Sequence, residues 1–200
     1  MKIGTLDLTR FKEFYQFGKE IDLGDIRGLI GSLESRSFGK RELLITEGST
    51  ENQVFFIRKG IVRCFVVNEK GEEITFRLIA DNEILVNVDT LLWNQPSRFF
   101  YETLETTSTM RIDYDLLISI VEKHPSIERN RKFVFQKMMR QAHTRLESFV
   151  LLTPEERYLK YASENKDIVN RVADKHIANV LGITPTSLSR IRRRVAKERS

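Results

Sequence analysis

The spacing of hydrophobic residues changes twice along the chain, near residues 36 and 113. Between these points, short runs rich in β-branched and aromatic residues alternate with turn sequences, and Asn68–Gly71 is the clearest hairpin turn. The runs are LLITEG (43–48), QVFFIRKG (53–60), IVRCFVV (61–67), EITFRLIA (73–80), RFFYETLE (98–105) and TMRI (109–112). Short strands at such regular intervals predict an antiparallel sandwich or barrel.

Outside this region the spacing is helical. Residues 7–35 are predicted to be mostly helical. Asp113 is predicted to cap a short helix, DYDLLISIVEKH, which ends before Pro125 because the residue preceding a proline disfavours helical backbone. A long helix is then predicted from about Ser126 to Leu151. The sequence TPEE (153–156) follows and predicts a capped helix start and a domain boundary.

The stretch DKHIANVLGITPTSLSRIRR (174–193) has the spacing of a helix-turn-helix motif. Gly182 permits the sharp turn, and Thr184 followed by Pro185 predicts a capped start of the second helix. Two crossing helices would pack through the apolar residues Ile177, Ala178, Leu181, Ile183, Leu188 and Ile191. A motif of this kind places its second helix in the major groove of DNA.

The second helix has an inward side, which carries Leu188, Ile191 and Val195. The residues predicted to contact DNA are Thr184, Thr186, Ser187, Ser189, Arg190, Arg193, Arg194 and Lys197. Thr186 and Arg190 are predicted to read bases, because an arginine can bond O6 and N7 of guanine together. Ser187 and Ser189 could bond bases or phosphates. The arginines and the lysine beyond Arg190 are predicted to contact phosphates.

The distribution of charge supports the DNA-binding interpretation. Residues 171–200 contain eight Lys or Arg against two acids, whereas the whole chain of 200 residues has a net charge of +5. The basic excess is therefore confined to the C-terminal segment. A local basic patch is favoured on a DNA backbone because binding releases counterions.

Apolar residues of the long helix recur at steps of four and three. They are Phe135, Met139, Ala142, Leu146 and Phe149. Such a seam predicts either a dimer interface or a helix packed against its own domain. We favour a homodimer, because a helix-turn-helix protein normally pairs by two-fold symmetry to match two half-sites.

The chain lacks the residues that other classes of protein require. No apolar run reaches the roughly 18–20 residues that span a bilayer, and the N-terminus lacks a secretory apolar core, so we expect a cytoplasmic protein without a membrane partner. The histidines are His124, His143 and His176, none within 36–112, which argues against metal ligands and a cupin-like enzyme. His176 is expected to be exposed near the DNA backbone. Catalytic residues, metals and cofactors are not predicted.

A strand-rich region, a long helix and a C-terminal helix-turn-helix, in this order, resemble the CRP/FNR superfamily of bacterial transcription regulators. The resemblance rests on ITEG (45–48), FFIRKGIVR (55–63), IANVLGIT (177–184) and LSRI (188–191). It implies an α+β fold with three domains. These are an antiparallel, jelly-roll-like β-roll that senses an effector (1–124), a dimerisation helix (125–151) and a helix-turn-helix DNA-binding domain (152–200).

The resemblance also implies an effector pocket in the roll. Members that bind cyclic nucleotides have a Gly-Glu pair and an Arg-Ser pair there, and a Thr-Ser pair on the long helix. The corresponding pairs here are Val86-Asn87, Ser97-Arg98 and Ala142-His143. The candidate pocket residues are therefore Asn87, Arg98, Ala142 and His143, and cyclic AMP is not the expected ligand. An unknown small-molecule effector is left open.

The resulting hypothesis is a homodimeric, sequence-specific transcription regulator. Its expected partners are double-stranded DNA, a second copy of the chain and RNA polymerase. Pro185 and Thr186 replace the Arg and Glu that the family has at the start of the reading helix, so a different operator is expected. The alternative is a ligand-sensing or interaction module that has lost productive DNA binding.

Overall fold

The strands expected between residues 36 and 112 are present in the computed structural model, which describes residues 31–123 and 125–198. Within these residues the strands are β1 (Glu34–Phe38), β2 (Leu43–Ile45), β3 (Gln53–Lys59), β4 (Val62–Val67), β5 (Glu73–Ile79), β6 (Ile84–Val86), β7 (Phe100–Thr103) and β8 (Thr107–Asp113). They form two antiparallel sheets, in the orders β1-β8-β3-β6 and β2-β7-β4-β5. The antiparallel β-roll predicted from the sequence is confirmed.

Apolar side chains from both sheets fill the space between them. Ile57, Val62 and Leu85 are completely buried, and Cys64 and Tyr101 belong to the same cluster. Full burial of one such aliphatic side chain stabilises a fold by about 1.5–3 kcal/mol. This cluster holds β3 and β6 of the first sheet against β2, β4 and β7 of the second.

The predicted hairpin at Asn68–Gly71 joins β4 to β5. The Asn68 side-chain oxygen accepts hydrogen bonds from the amides of Lys70 (3.0 Å) and Glu72 (2.9 Å). The Gly71 amide donates to the carbonyl oxygen of Asn68 (2.9 Å). An asparagine that bonds the backbone two residues ahead stabilises a tight turn.

The helices of the described residues are α1 (Val88–Trp93), α2 (Tyr114–Lys123), α3 (Pro125–Leu151), α4 (Pro154–Glu164), α5 (Lys166–Arg171), α6 (Asp174–Leu181) and α7 (Pro185–Glu198). Asp113 caps α2, since its carboxylate accepts from the amides of Asp115 and Leu116. Thr153 and Glu156 form the predicted capping box at the start of α4. Both predicted helix starts are confirmed.

Four elements were not predicted, namely β1, β6, α1 and α5. Strand β1 has the polar sequence ESRSF, so it shows no hydrophobic alternation, and β6 and α1 have only three and six residues. Residues 34 and 35 are therefore strand, not helix as predicted, because β1 pairs with β8 along its whole length. The part of the helix predicted at residues 7–30 lies outside the described residues.

Helices α4–α7 share a hydrophobic core with the roll. The cluster contains Ile61, Leu78 and Ala80 of the roll together with Tyr158, Ile168, Val172, Ile177, Ala178, Val180, Leu181, Leu188 and Ile191 of the helical segment. Helix α6 lies directly against β5. The C-terminal helices thus pack on the roll of their own chain, and the division into three domains stays a prediction.

Candidate nucleic-acid interface

Helix α6 ends at Gly182, which also makes the turn into α7. Gly182 has φ 66° and ψ 35°, the left-handed conformation that favours glycine. Its amide donates to the carbonyl oxygen of Asn179 (2.9 Å), and the Ile183 amide donates to that of Ala178 (3.0 Å). These two bonds satisfy carbonyls at the end of α6 and reverse the chain. The turn predicted at Gly182 is confirmed.

Helix α7 begins at Pro185 and is capped by Thr184, both as predicted. The Thr184 hydroxyl oxygen accepts a hydrogen bond from the amide of Ser187 (3.1 Å). The hydroxyls of Thr184 and Ser187 are also bonded to each other at 2.9 Å. The two side chains that start α7 therefore already interact with each other.

The two sides of α7 differ in exposure. Leu188 and Ile191 are buried and Val195 is half-buried, as predicted for the inward side. The exposed residues among the predicted DNA contacts are Thr184, Thr186, Ser189, Arg190, Arg193, Arg194 and Lys197, and Ser187 is half-buried. A polar and basic surface is therefore continuous along the outer side of α7.

Several arginines of the basic C-terminal segment are neutralised within the chain. The pairs are Arg171 with Asp81, Glu105 and Asp167, Arg192 with Asp174, and Arg194 with Glu155. Arg190, Arg193 and Lys197 have no ion-pair partner among the described residues. The uncompensated positive charge of α7 is thus concentrated on its outer side.

His176 lies on α6 and is buried, with 6% of its surface exposed. The expectation that it is exposed was wrong, because β5 covers it. Its Nδ1 is 2.8 Å from the hydroxyl oxygen of Thr75. Burial lowers the pKa of His176 to about 4, and the positive charges of Arg63 and Lys175 act in the same direction. The imidazole is therefore neutral at physiological pH.

Two further side chains attach the helices to β5, and sequence reasoning missed both. The Asn179 side-chain oxygen accepts from the amide of Thr75 (3.1 Å). Arg145 of α3 donates to the carbonyl oxygens of Phe76 (2.6 Å) and Val180 (3.3 Å). The bonded residues lie 35 to 104 positions apart in the sequence, so no local pattern identifies them.

Two of the predicted effector-pocket residues lie in the roll, and each is bonded to a near neighbour. Asn87 is 1% exposed, and its side-chain nitrogen donates to the Thr90 hydroxyl (2.5 Å). The Arg98 guanidinium donates to the carboxylate of Asp89 (2.8 Å). This bond lowers the pKa of Asp89 and raises that of Arg98.

The other two predicted pocket residues, Ala142 and His143, are exposed on α3. His143 lies 3.4 Å from the carboxylate of Glu147, one helical turn away. The polar side chains of the predicted pocket, those of Asn87, Arg98 and His143, therefore interact with residues close to them in the sequence.

The apolar seam of α3 is exposed in the single chain. The exposed fractions are 54% for Phe135, 54% for Met139, 62% for Leu146 and 38% for Phe149. Ala142 is exposed as well, as are Val150 and Leu151 beyond the seam. A helix packed on its own domain would bury these side chains, so the exposure favours the dimer interpretation of the seam.

Two kinds of feature are absent from the described residues. No helix there is both long and apolar enough to cross a membrane. No group of three or more His, Cys, Asp or Glu side chains in the same residues could hold a metal ion.

Residues 35–124 match the model of the cyclic nucleotide-binding domain family. The anaerobic regulatory protein of Pasteurella multocida is 25% identical over 172 residues, which cover 79% of this chain and 61% of that protein. This chain thus matches less than two thirds of that relative's length. Among solved structures, a CooA mutant from Carboxydothermus hydrogenoformans has a TM-score of 0.67 at 17% identity and matches 98% of this chain and 87% of that one. FixK2 from Bradyrhizobium japonicum has a TM-score of 0.66 at 18% identity, with coverage of 83% and 85%.

The fold and the family match define a protein with a cyclic nucleotide-binding type of β-roll followed by helices. Over residues 35–124 the chain resembles the cyclic nucleotide-binding domain family, and it is similar to bacterial regulatory proteins, in agreement with the CRP/FNR resemblance of the sequence.

Proposed function

We propose that this protein is a homodimeric, sequence-specific DNA-binding transcription regulator. The observation that carries the proposal is the outer side of α7, which is polar, basic and exposed, while its inner side packs on α6. Residues 174–198 would then form the helix-turn-helix, and α7 would enter the major groove. The domain limits we propose are 1–124, 125–151 and 152–200.

The exposed residues of α7 are assigned different roles. Thr186 and Arg190 would read base edges, because they lie in the first turns of the helix. Arg193 and Lys197 would contact phosphates, and Ser187 and Ser189 could bond either. Arg194 would have to leave Glu155, to which it is bonded at 2.5 Å, before it could contact a phosphate.

The dimer would form through the exposed seam of α3. Two copies of α3 packed along Phe135, Met139, Ala142, Leu146 and Phe149 would bury these residues against each other. A two-fold axis along α3 would place two copies of α7 for two half-sites.

We further propose that the roll does not bind cyclic AMP. The arginine expected to hold the cyclic phosphate, Arg98, is already bonded to Asp89 through three donor atoms, its Nε, its Nη2 and its backbone amide. Asn87, at the position of the family's glutamate, is bonded to Thr90 and almost fully buried. Arg98 would have to exchange Asp89 for the ligand.

The first experiment is selection of bound sequences from random duplex DNA with the purified full chain. An enriched palindrome is the expected result, because a two-fold dimer reads two inverted half-sites. If no sequence is enriched and the binding of random DNA does not weaken with salt, the protein is instead a sensing or interaction module without productive DNA binding.

Replacing Arg190 with alanine is expected to weaken binding to the selected site about 5- to 150-fold, the effect of losing one bidentate base contact. Binding to random DNA should change much less. Fluorescence anisotropy with both duplexes measures the two affinities. Arg58→Ala is the matched control, since it removes the same charge from an exposed position on β3. An unchanged ratio of the two affinities in Arg190→Ala would exclude base reading by Arg190.

Replacing Leu146 with glutamate is expected to convert the dimer into a monomer. The change would place two carboxylates in an apolar seam, where burying an unpaired charge costs several kcal/mol. Sedimentation velocity measures the outcome. Leu92→Glu is the matched control, because Leu92 is 53% exposed on α1, outside the seam, and Leu146 is 62% exposed. A Leu146→Glu protein that remains dimeric would place the interface elsewhere.

A further inference from the structure

A cavity of about 410 Å³ lies where α3, α4 and α6 meet strand β5. Its volume is in the range of small-molecule sites. Five cationic side chains line it, with a single acid: Arg77, Arg140, Arg145, Arg157 and Lys160 against Glu164. Phe149 and Tyr161 add an aromatic surface. None of the residues predicted for the effector pocket lines this cavity.

Elsewhere in the fold, partly buried arginines are paired with carboxylates. Arg63 bonds Glu73 (2.7 Å) and Glu102 (2.8 Å). Arg171 bonds Asp81 (3.1 Å) and Glu105. Pairing of this kind compensates the cost of removing a guanidinium from water.

The arginines of the cavity lack this compensation among the described residues. Arg145 donates only to backbone carbonyls and lies over the ring of Phe76, with the guanidinium carbon 4.7 Å from the ring centre. Burial lowers the pKa of Arg145, because removal from water disfavours the charged guanidinium. A charge held in this way favours an anionic ligand.

Arg157, on α4, has a similar arrangement. It donates to the carbonyl oxygens of Leu181 (2.8 Å) and Leu152 (3.3 Å) and lies 4.3 Å from the centre of the Phe149 ring. Its Nε is buried and has no hydrogen-bond partner among the described residues. A cavity-lining arginine thus has a buried donor that lacks an acceptor within the described part of the chain.

We propose that this cavity binds a phosphorylated small molecule. The arginines and Lys160 would hold the phosphate, which accepts several charge-assisted hydrogen bonds at once. The rest of the molecule would lie against Tyr161. Because the cavity borders both β5 and α6, the bound ligand would fix α6 and the following α7 relative to α3. Only this last consequence rests on the proposed function.

Isothermal titration calorimetry of the full chain at low salt tests the site with three probes: inorganic pyrophosphate, AMP and adenosine. Pyrophosphate or AMP is expected to bind once per chain, and adenosine, which lacks phosphate, is not. Binding of AMP alone would show that the aromatic part is also required. No binding of either phosphate probe at millimolar concentration would overturn the proposal, as would adenosine binding as tightly as AMP.

Two variants locate the binding. Arg140→Gln and Lys160→Gln remove charges from an exposed and a half-exposed position, so both proteins should fold. Each substitution is expected to weaken binding of the phosphate probe about tenfold, because one hydrogen bond to a charged group is lost. Arg58→Gln is the control and should bind normally. Equal affinities in all the variants would exclude the cavity. The titrations contain no DNA, so a failure to bind phosphate would not affect the result of the DNA selection. A failed DNA selection would likewise not affect the titrations.

Discussion

Replacing Gly60 with alanine is expected to lower the free energy of unfolding by about 3–5 kcal/mol. Gly60 has φ 119°, and a Cβ there would lie 2.7 Å from the Cα of Thr107. Because Thr107 is completely buried, the backbone would have to move to make room. The Gly60 amide also donates to Asp81 (2.6 Å), which pairs with Arg171. The displacement would therefore reach the attachment of the C-terminal helices.

Urea unfolding followed by circular dichroism measures the effect of this change. Gly71→Ala is the matched control, since Gly71 has φ 78° and no heavy atom within 4 Å of an added Cβ. Only the left-handed conformation is unfavourable at this position, so the expected loss is about 1–2 kcal/mol. Similar losses in the two variants would show that the contact with Thr107 does not determine the effect.

Acid is expected to destabilise the protein through His176. In the unfolded chain a histidine has a pKa of about 6.5, whereas burial lowers the pKa of His176 in the fold to about 4. Between these values the unfolded state binds a proton that the folded state does not. The stabilisation contributed by neutral, buried His176 is therefore complete above the pKa of the unfolded chain. It is lost as the pH falls to the pKa of His176 in the folded protein. The expected loss is about 2–3 kcal/mol.

The contribution of His176 is measured by comparing the wild type with His176→Gln at several values of pH between 7 and 4. Glutamine can still bond Thr75 but does not titrate. The difference in free energy of unfolding between the two proteins should shrink or reverse as the pH falls. Glu73 and Asp89, whose carboxyl pKa values are lowered by arginines, also contribute to acid destabilisation, but they are present in both proteins. A constant difference across this range would contradict the assignment to His176.

The turn and the helix caps, which depend on neighbours in sequence, were predicted correctly. Gly182 adopts the left-handed turn, Thr184 caps α7, and Thr153 and Glu156 form the capping box of α4. The hydrogen bonds involved span five residues or fewer, so the local sequence contains all the groups that form them. The same holds for the inward and outward sides of α7, which the helical period determines.

What depended on distant parts of the chain could not be read from the sequence. Strand β1 was missed because its polar residues form a strand only by pairing with β8. His176 was expected to be exposed, since nothing in its own segment indicates that β5 covers it.

The sequence by itself determined most of the strands and helices, the turn at Gly182 and the polar outer side of α7. The tertiary structure alone decided which arginines are neutralised, Arg63 and Arg171 by carboxylates, and which remain uncompensated around the cavity, such as Arg145 and Arg157. The physical reason is that charge compensation and burial depend on groups brought together by folding from positions far apart in the chain, whereas caps and helical faces depend on residues only a few positions away.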